Sequence, residues 1–284
     1  MKKIITALIA CVLGLTGYLA YIAHTLQQPP AQNPAWFMQN KAAYAGKKTV
    51  VCVGDSITHG SVCASYVKML ENSLPPRGYV VVNAGINSNL AWNVRQRLDA
   101  IIGCNPDIVT VLVGTNDANA MLHESNARRL IKKMSLPQHP DHDWFRDNLA
   151  KIIVRLKNET HAKIALLSLL PIGEDLDSPA CDAATRYSRT IKEMATRQNV
   201  AYLPLNETLT GYLAGRNRAP KVSYTGDTTP LLHAALLKQY LLGVSYDRFS
   251  DANGFLLLID MLHPNTRCAA MTAEMVGKFI LAQQ

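Results

Sequence analysis

Four short polar clusters in this 284-residue chain carry side chains that could do chemistry together. Gly54-Asp55-Ser56-Ile57-Thr58 follows one apolar run, Asn83-Ala84-Gly85-Ile86-Asn87 a second, and Gly114-Thr115-Asn116-Asp117 a third. Asp260-Met261-Leu262-His263 stands near the C-terminus, followed by Pro264. A serine hydroxyl is a weak nucleophile unless a base removes its proton as it attacks. Histidine is the usual base because its pKa lies near working pH. The imidazole in turn needs an acceptor that fixes its tautomer and stabilises the imidazolium. Asp260 and His263 are three residues apart, so both side chains of one turn can point the same way. Taken singly, each cluster is weak, since turns favour Gly, Asn and Asp and a lone Ser56 reads as a helix N-cap.

The elements around the clusters give them weight. Thr49–Val53, Tyr79–Asn83, Asp107–Val113, Lys163–Leu169 and Val200–Leu203 are predicted strands. Helices are predicted over Val62–Leu74, Leu90–Ile102, Trp144–Lys157, Thr185–Arg197 and Thr266–Ala282. Strands alternating with helices imply right-handed βαβ units and a parallel sheet covered on both faces. In such sheets ligands bind beyond the carboxyl ends of the strands, and three of the clusters sit at those ends.

Gly54-Asp55-Ser56, Gly85, Gly114-Thr115-Asn116-Asp117 and Asp260-Met261-Leu262-His263 resemble, in order, the four motif blocks of the SGNH (GDSL-type) hydrolase superfamily, over about residues 48–284. The resemblance implies an α/β fold: a three-layer α/β/α sandwich around a five-stranded parallel sheet, of the flavodoxin-like kind. It implies a carboxylic ester hydrolase with Ser56 as nucleophile, His263 as general base and Asp260 orienting the histidine. The oxyanion donors it implies are the backbone N–H groups of Ser56 and Gly85 and the side-chain amide of Asn116. No metal or cofactor is needed for that mechanism. Asp55 and Asp117 are expected to be structural, and His59 an ordinary loop histidine. His139, Asp141, His142 and Asp143 could suggest a metal site, but Pro137 and Pro140 make that stretch read as a solvated connection.

Composition bounds the partners. The net charge is +8, and its densest run, Arg128, Arg129, Lys132 and Lys133, has helical spacing. No zinc-finger spacing or basic region appears, which argues against nucleic acid. Lys2 and Lys3 precede an apolar stretch from Ile4 to Ala23, whose twenty residues would span about 30 Å as a helix. The expectation is a membrane helix over residues 1–23, a signal anchor rather than a cleaved signal, with an extracytoplasmic catalytic domain. Residues 24–47, with Gln27-Gln28-Pro29-Pro30, Gln32-Asn33-Pro34 and the run up to Gly46, read as a linker, and 48–284 as the hydrolase domain. Within it, 206–253 reads either as a lid or substrate-binding insertion, with the leucine-rich Leu231–Leu242, or as surface decoration. Six cysteines with no C-x-x-C pair give no zinc site. The expected substrate is a small-molecule, lipid or glycan ester. A lysophospholipase or thioesterase, a polysaccharide O-acetylesterase, an acyltransferase using the same triad and an inactive membrane-tethered binding protein remain as readings.

Overall fold

The computed structural model describes residues 2–216 and 220–283, with the side chains of residues 2–13 and 15 outside the description. Five strands form one parallel sheet: β1 (Lys48–Gly54), β2 (Tyr79–Gly85), β3 (Ile108–Leu112), β4 (Lys163–Leu167) and β5 (Ala201–Leu203), in the order β2-β1-β3-β4-β5. Every residue of β2 and β3 is buried. Side chains alternate between the two faces of a strand, so helices must cover both, which gives the three-layer α/β/α sandwich. Gly54 pairs with Gly85 on one side and Leu112 on the other, so the first three strands end level. The chain reverses its direction of growth between β1 and β3, the position at which doubly wound sheets bind ligands.

Several expectations change in detail. The single helix expected over Leu90–Ile102 is two, Ala91–Gln96 and Leu98–Gly103, broken at Arg97. Arg97 leaves helical geometry as its guanidinium turns inward to donate to the Gly54 carbonyl (2.9 Å) and to Asn89 Oδ1 (2.8 Å). The 206–253 segment is mostly helical, with Leu205–Ala214, a leucine-rich helix Thr229–Leu242, and Tyr246–Ala252. Residues 24–47 do not form a bare tether. A helix Pro34–Asn40 starts with Pro at its first position and Asn33 as its cap, and Phe37 from it is buried in the core. The Asn83 N–H of β2 donates to the Gln32 carbonyl at 2.8 Å.

The expected membrane helix is not found among the described residues. Among the described residues no helix is long and apolar enough to cross a membrane. The stretch Ile4–Ala23 lies in the N-terminal helix Lys2–Gln27, with much of it outside the described side chains. The end of that helix is committed to the domain. Tyr18 Oη donates to the Tyr240 carbonyl (3.0 Å), and Ser61 Oγ (2.9 Å) and Asn87 Nδ2 (3.2 Å) both donate to the Leu26 carbonyl.

Cys52, Cys63, Cys104, Cys181 and Cys268 are unpaired and buried. Burial pushes the thiols up, Cys52 to about 12 and Cys104 and Cys181 to about 11, so they stay protonated and inert.

The packing of residues 28–47 is testable. Phe37→Ala removes a fully buried ring and should destabilise the protein by about 3–5 kcal/mol, read as a lower urea midpoint. A midpoint equal to wild type would mean the segment is a tether after all.

Candidate active site

The residues picked out by type and spacing come together at the carboxyl edge of the sheet. Ser56 opens a one-turn helix, Ser56–His59, directly after β1. Asp55 caps that helix, its Oδ1 accepting from the Ile57 N–H at 3.0 Å. As the first helical residue, Ser56 has an N–H with no intrahelical acceptor.

Ser56 Oγ lies 2.9 Å from His263 Nε2, and His263 Nδ1 lies 2.8 Å from Asp260 Oδ2. An ionised carboxylate only accepts, so Nδ1 carries the ring hydrogen and Nε2 is the acceptor for the serine hydroxyl. Asp260 is fully buried, and its Oδ1 also accepts the backbone N–H groups of Leu262 (3.1 Å) and His263 (2.8 Å). One carboxylate thus fixes both the turn and the ring. Burial by itself would lower the His263 pKa, but the charge and hydrogen bond of Asp260 outweigh it and leave the imidazole above its ordinary value.

Two features that sequence reasoning missed hold this turn. Met261 has φ +74°, a left-handed backbone that a residue with a side chain rarely adopts, and its carbonyl accepts from the Gly173 N–H at 2.7 Å. Glu174 is buried and accepts three backbone amides, Leu256 (2.6 Å), Leu257 (2.7 Å) and Leu258 (2.7 Å), in the segment leading to Asp260. No local pattern announces Glu174, which lies more than eighty residues from the amides it binds.

The expected donors divide. Asn116 lies near the start of the helix Thr115–Leu122 after β3, and its Nδ2 donates one hydrogen to the Asn89 carbonyl at 3.1 Å. That bond aims the amide and leaves its second hydrogen available. Gly85 is placed differently from expectation. Its N–H donates to Asn83 Oδ1 (2.9 Å), while Asn83 Nδ2 donates to the Thr58 carbonyl (2.9 Å). A Cβ on Gly85 would fall on the backbone of Thr58 and His59, so glycine is needed there for contact with the serine helix. Three residues on, Ser88 has φ +65° and its N–H has no protein acceptor among the described residues. Ser88, and not Gly85, lines the cavity that contains Ser56, Asn116 and His263.

That cavity has a volume of about 560 Å³, a size typical of small-molecule sites. The N-terminal helix contributes Leu19, Ile22 and Leu26 to its wall, and the leucine-rich helix Leu232, Leu236 and Leu237.

The remaining candidates have structural partners. Asp117 accepts from the Ala91 N–H (3.1 Å), and burial pushes its carboxyl up to about 7. Burial likewise lifts Asp55 to about 6. His59 Nε2 donates to the Gln28 carbonyl at 3.1 Å, pinning the end of the N-terminal helix. His139 contacts Glu124 (3.0 Å), His142 contacts Thr190 (2.9 Å), and Asp141 caps a helix through the Trp144 N–H (2.7 Å). Among the described residues no group of His, Cys, Asp and Glu is arranged to hold a metal ion.

Solved structures share this fold. Axe2, an acetylxylan esterase from Geobacillus stearothermophilus, superposes with a TM-score of 0.56 at 19% identity, over 82% of this chain and 94% of that one. The acetyl xylan esterase AlAXEase gives 0.56 at 20% identity, over 82% and 99%. A variant of Axe2, described as an acetyl-xylooligosaccharide esterase, gives 0.58 at 20%, over 82% and 94%. A comparison with curated proteins gave no match. The model of the GDSL-like lipase/acylhydrolase family matches residues 52–268. That stretch is most of the chain and contains the end of β1, the other four strands, the serine turn and the Asp260–His263 turn, so the protein belongs to the GDSL-like lipase/acylhydrolase family and is a carboxylic ester hydrolase.

Proposed function

We propose that the protein hydrolyses carboxylic esters through an acyl-enzyme on Ser56. The observation that carries this reading is the unbroken hydrogen-bonded chain Ser56–His263–Asp260, set in a cavity at the carboxyl edge of the sheet. Ser56 Oγ attacks the ester carbonyl as His263 Nε2 takes its proton. The tetrahedral oxyanion is met by the N–H groups of Ser56 and Ser88 and by Asn116 Nδ2, with Ser88 in the role that the family resemblance implied for Gly85. His263 returns the proton to the departing alcohol, then takes one from the water that releases the acid. Asp260 stabilises the imidazolium in both steps.

On the acyl part, the apolar walls from the two helices favour a lipid-like ester over an acetyl group. The solved neighbours named for acetylated xylans favour the second reading, a polysaccharide O-acetylesterase. An acyltransferase would differ only in the acceptor that replaces water. We also propose that the domain works on the extracytoplasmic side, attached at a membrane surface by its N-terminal helix rather than by a spanning one. Lys2 and Lys3 ahead of the apolar run support this, as do Tyr18 and Tyr21, exposed where the helix meets the domain.

Ser56→Ala should abolish fluorophosphonate labelling and lower kcat on p-nitrophenyl butyrate to near background. Asn116→Ala should retain labelling and lose about 10²–10³ in kcat. Full activity in the purified serine variant would refute the mechanism.

The pH profile follows from the raised His263 pKa, since the base works only when neutral. The acid limb of kcat/KM should lie above the ordinary histidine value of about 6.5. In Asp260→Asn, whose rate is much lower, the limb should move to lower pH because the charge that favours the imidazolium is gone. An unmoved limb would assign it to another group.

Deleting residues 2–13 should move the protein from the membrane fraction to the soluble one while sparing the cavity wall, so activity on soluble esters should persist. Equal fractionation of both forms would remove the attachment.

A further inference from the structure

One pair of charges in the cavity has no part in the mechanism above. Arg129 and Lys133 lie four residues apart on the helix Glu124–Met134 and both line the cavity of Ser56 and His263. Arg128 on the same helix pairs with Glu124 at 2.9 Å. Neither Arg129 nor Lys133 has an ion-pair partner among the described residues. The Arg129 charge acts on Asp227, whose own Oδ1 accepts the Thr229 N–H at 3.0 Å. Like charges at this helical spacing repel. Burial and then the Arg129 charge hold the Lys133 pKa below the usual lysine value. Lys133 is also close enough to His263 for its charge to act on the imidazole.

Two other elements give the same cavity aliphatic walls. Leu19, Ile22 and Leu26 of the N-terminal helix and Leu232, Leu236 and Leu237 of the leucine-rich helix line it. A site with two unpaired cations on one element and aliphatic side chains on two others is complementary to an ester that is itself two-ended.

We infer that the substrate is an anionic amphiphile: a medium or long acyl chain lies against the N-terminal and leucine-rich helices, and an anionic group on the alcohol part, such as a phosphate, is bound by Arg129 and Lys133. This rests on the reading of Ser56 as nucleophile and adds the substrate class. In the reaction the bond between the acyl carbon and the alcohol oxygen breaks, and water supplies the hydroxyl of the released fatty acid. The alcohol leaves with its anionic group and the proton carried by His263. An anion bound there offsets the repulsion between the two cations and lets Lys133 hold its proton more firmly. The oxyanion donors are separate groups, so head-group binding and carbonyl activation do not compete.

The test compares esters that differ in one feature at a time. The pair 1-octanoylglycerol and 1-octanoylglycerol 3-phosphate differs only in the phosphate, and 1-acetylglycerol 3-phosphate differs from the latter only in the acyl chain. Wild type should show kcat/KM at least tenfold higher for the octanoyl phosphate ester than for either of the others. In Arg129→Gln/Lys133→Gln the phosphate-to-neutral ratio should fall to near one. Arg128→Gln, an exposed cation of the same helix outside the cavity, should leave the ratio as in wild type. A wild-type ratio of one or below, or a ratio that survives the double substitution, would overturn the anionic subsite. A preference for the acetyl phosphate ester would overturn the acyl assignment. Ser56→Ala separates the two levels: activity that persists in it on any of these esters refutes the nucleophile, whereas failure of the ratios with Ser56→Ala inactive refutes only the substrate class.

Discussion

A carboxylate with no solvent exposure has to be compensated donor by donor, and the arrangement around Asp260 does this with three. Two are backbone amides of its own turn and the third is the ring of His263. Hydrogen bonds to charged groups contribute about 1.5–3 kcal/mol each. The left-handed conformation of Met261 costs about 1–3 kcal/mol, so the turn is held against its strain with a margin. The margin depends on the approach being fixed, and Glu174 fixes it through three consecutive amides. Directly after the turn, Asn265 caps the C-terminal helix Thr266–Leu281, its Oδ1 accepting the Cys268 N–H at 3.1 Å. His263 is therefore clamped from both sides, and the direction of its ring follows from groups that never touch a substrate.

The sheet supplies the other half of the geometry. Because β1, β2 and β3 end in register, the loops after them leave at one level, and Ser56, Ser88 and Asn116 meet one cavity. Arg97 ties two of those loops, binding the Gly54 carbonyl and the Asn89 side chain, while the Asn89 carbonyl aims Asn116. Arg97 is itself largely buried, and burial lowers its pKa to about 10 while the neighbouring Asp55 opposes the shift. The guanidinium thus remains a cation at neutral pH and keeps both bonds.

The sequence made the sheet, the order of elements and the Ser56–Asp260–His263 grouping legible, because hydrophobic runs and the spacing of reactive residue types are local signals. What it hid was long-range or conformational. Gly85 carried a glycine signal with two meanings, close approach to substrate or to the protein itself, and the contact with His59 decided for the second. Ser88 gave no sign of its left-handed backbone, since serine does not announce it. Residues 24–47 have the composition of a linker, yet Phe37 found a place in the core and the Gln32 carbonyl a partner on β2. Composition reports what a segment would do in isolation, whereas here burial of one ring and one edge amide decided.

The N-terminal helix shows the same ambiguity in its sharpest form. A bilayer core and an acyl-binding wall make the same demand on a sequence, a run of aliphatic side chains, so hydropathy alone cannot separate them. Contacts do, for its last turns: they are bonded to the leucine-rich helix and to the loops beside Ser56. A wall accounts for only one side of each helix, however. Tyr21 is 65% exposed, Leu242 is 71% exposed, and Leu237, Tyr240 and Leu241 of the leucine-rich helix are exposed as well. Leu237 both lines the cavity and is exposed, so this apolar surface reaches the rim of the site. Attachment at that edge would set the cavity mouth against the layer in which a long-chain ester resides, which makes the proposed location and the proposed substrate two consequences of the same pair of helices.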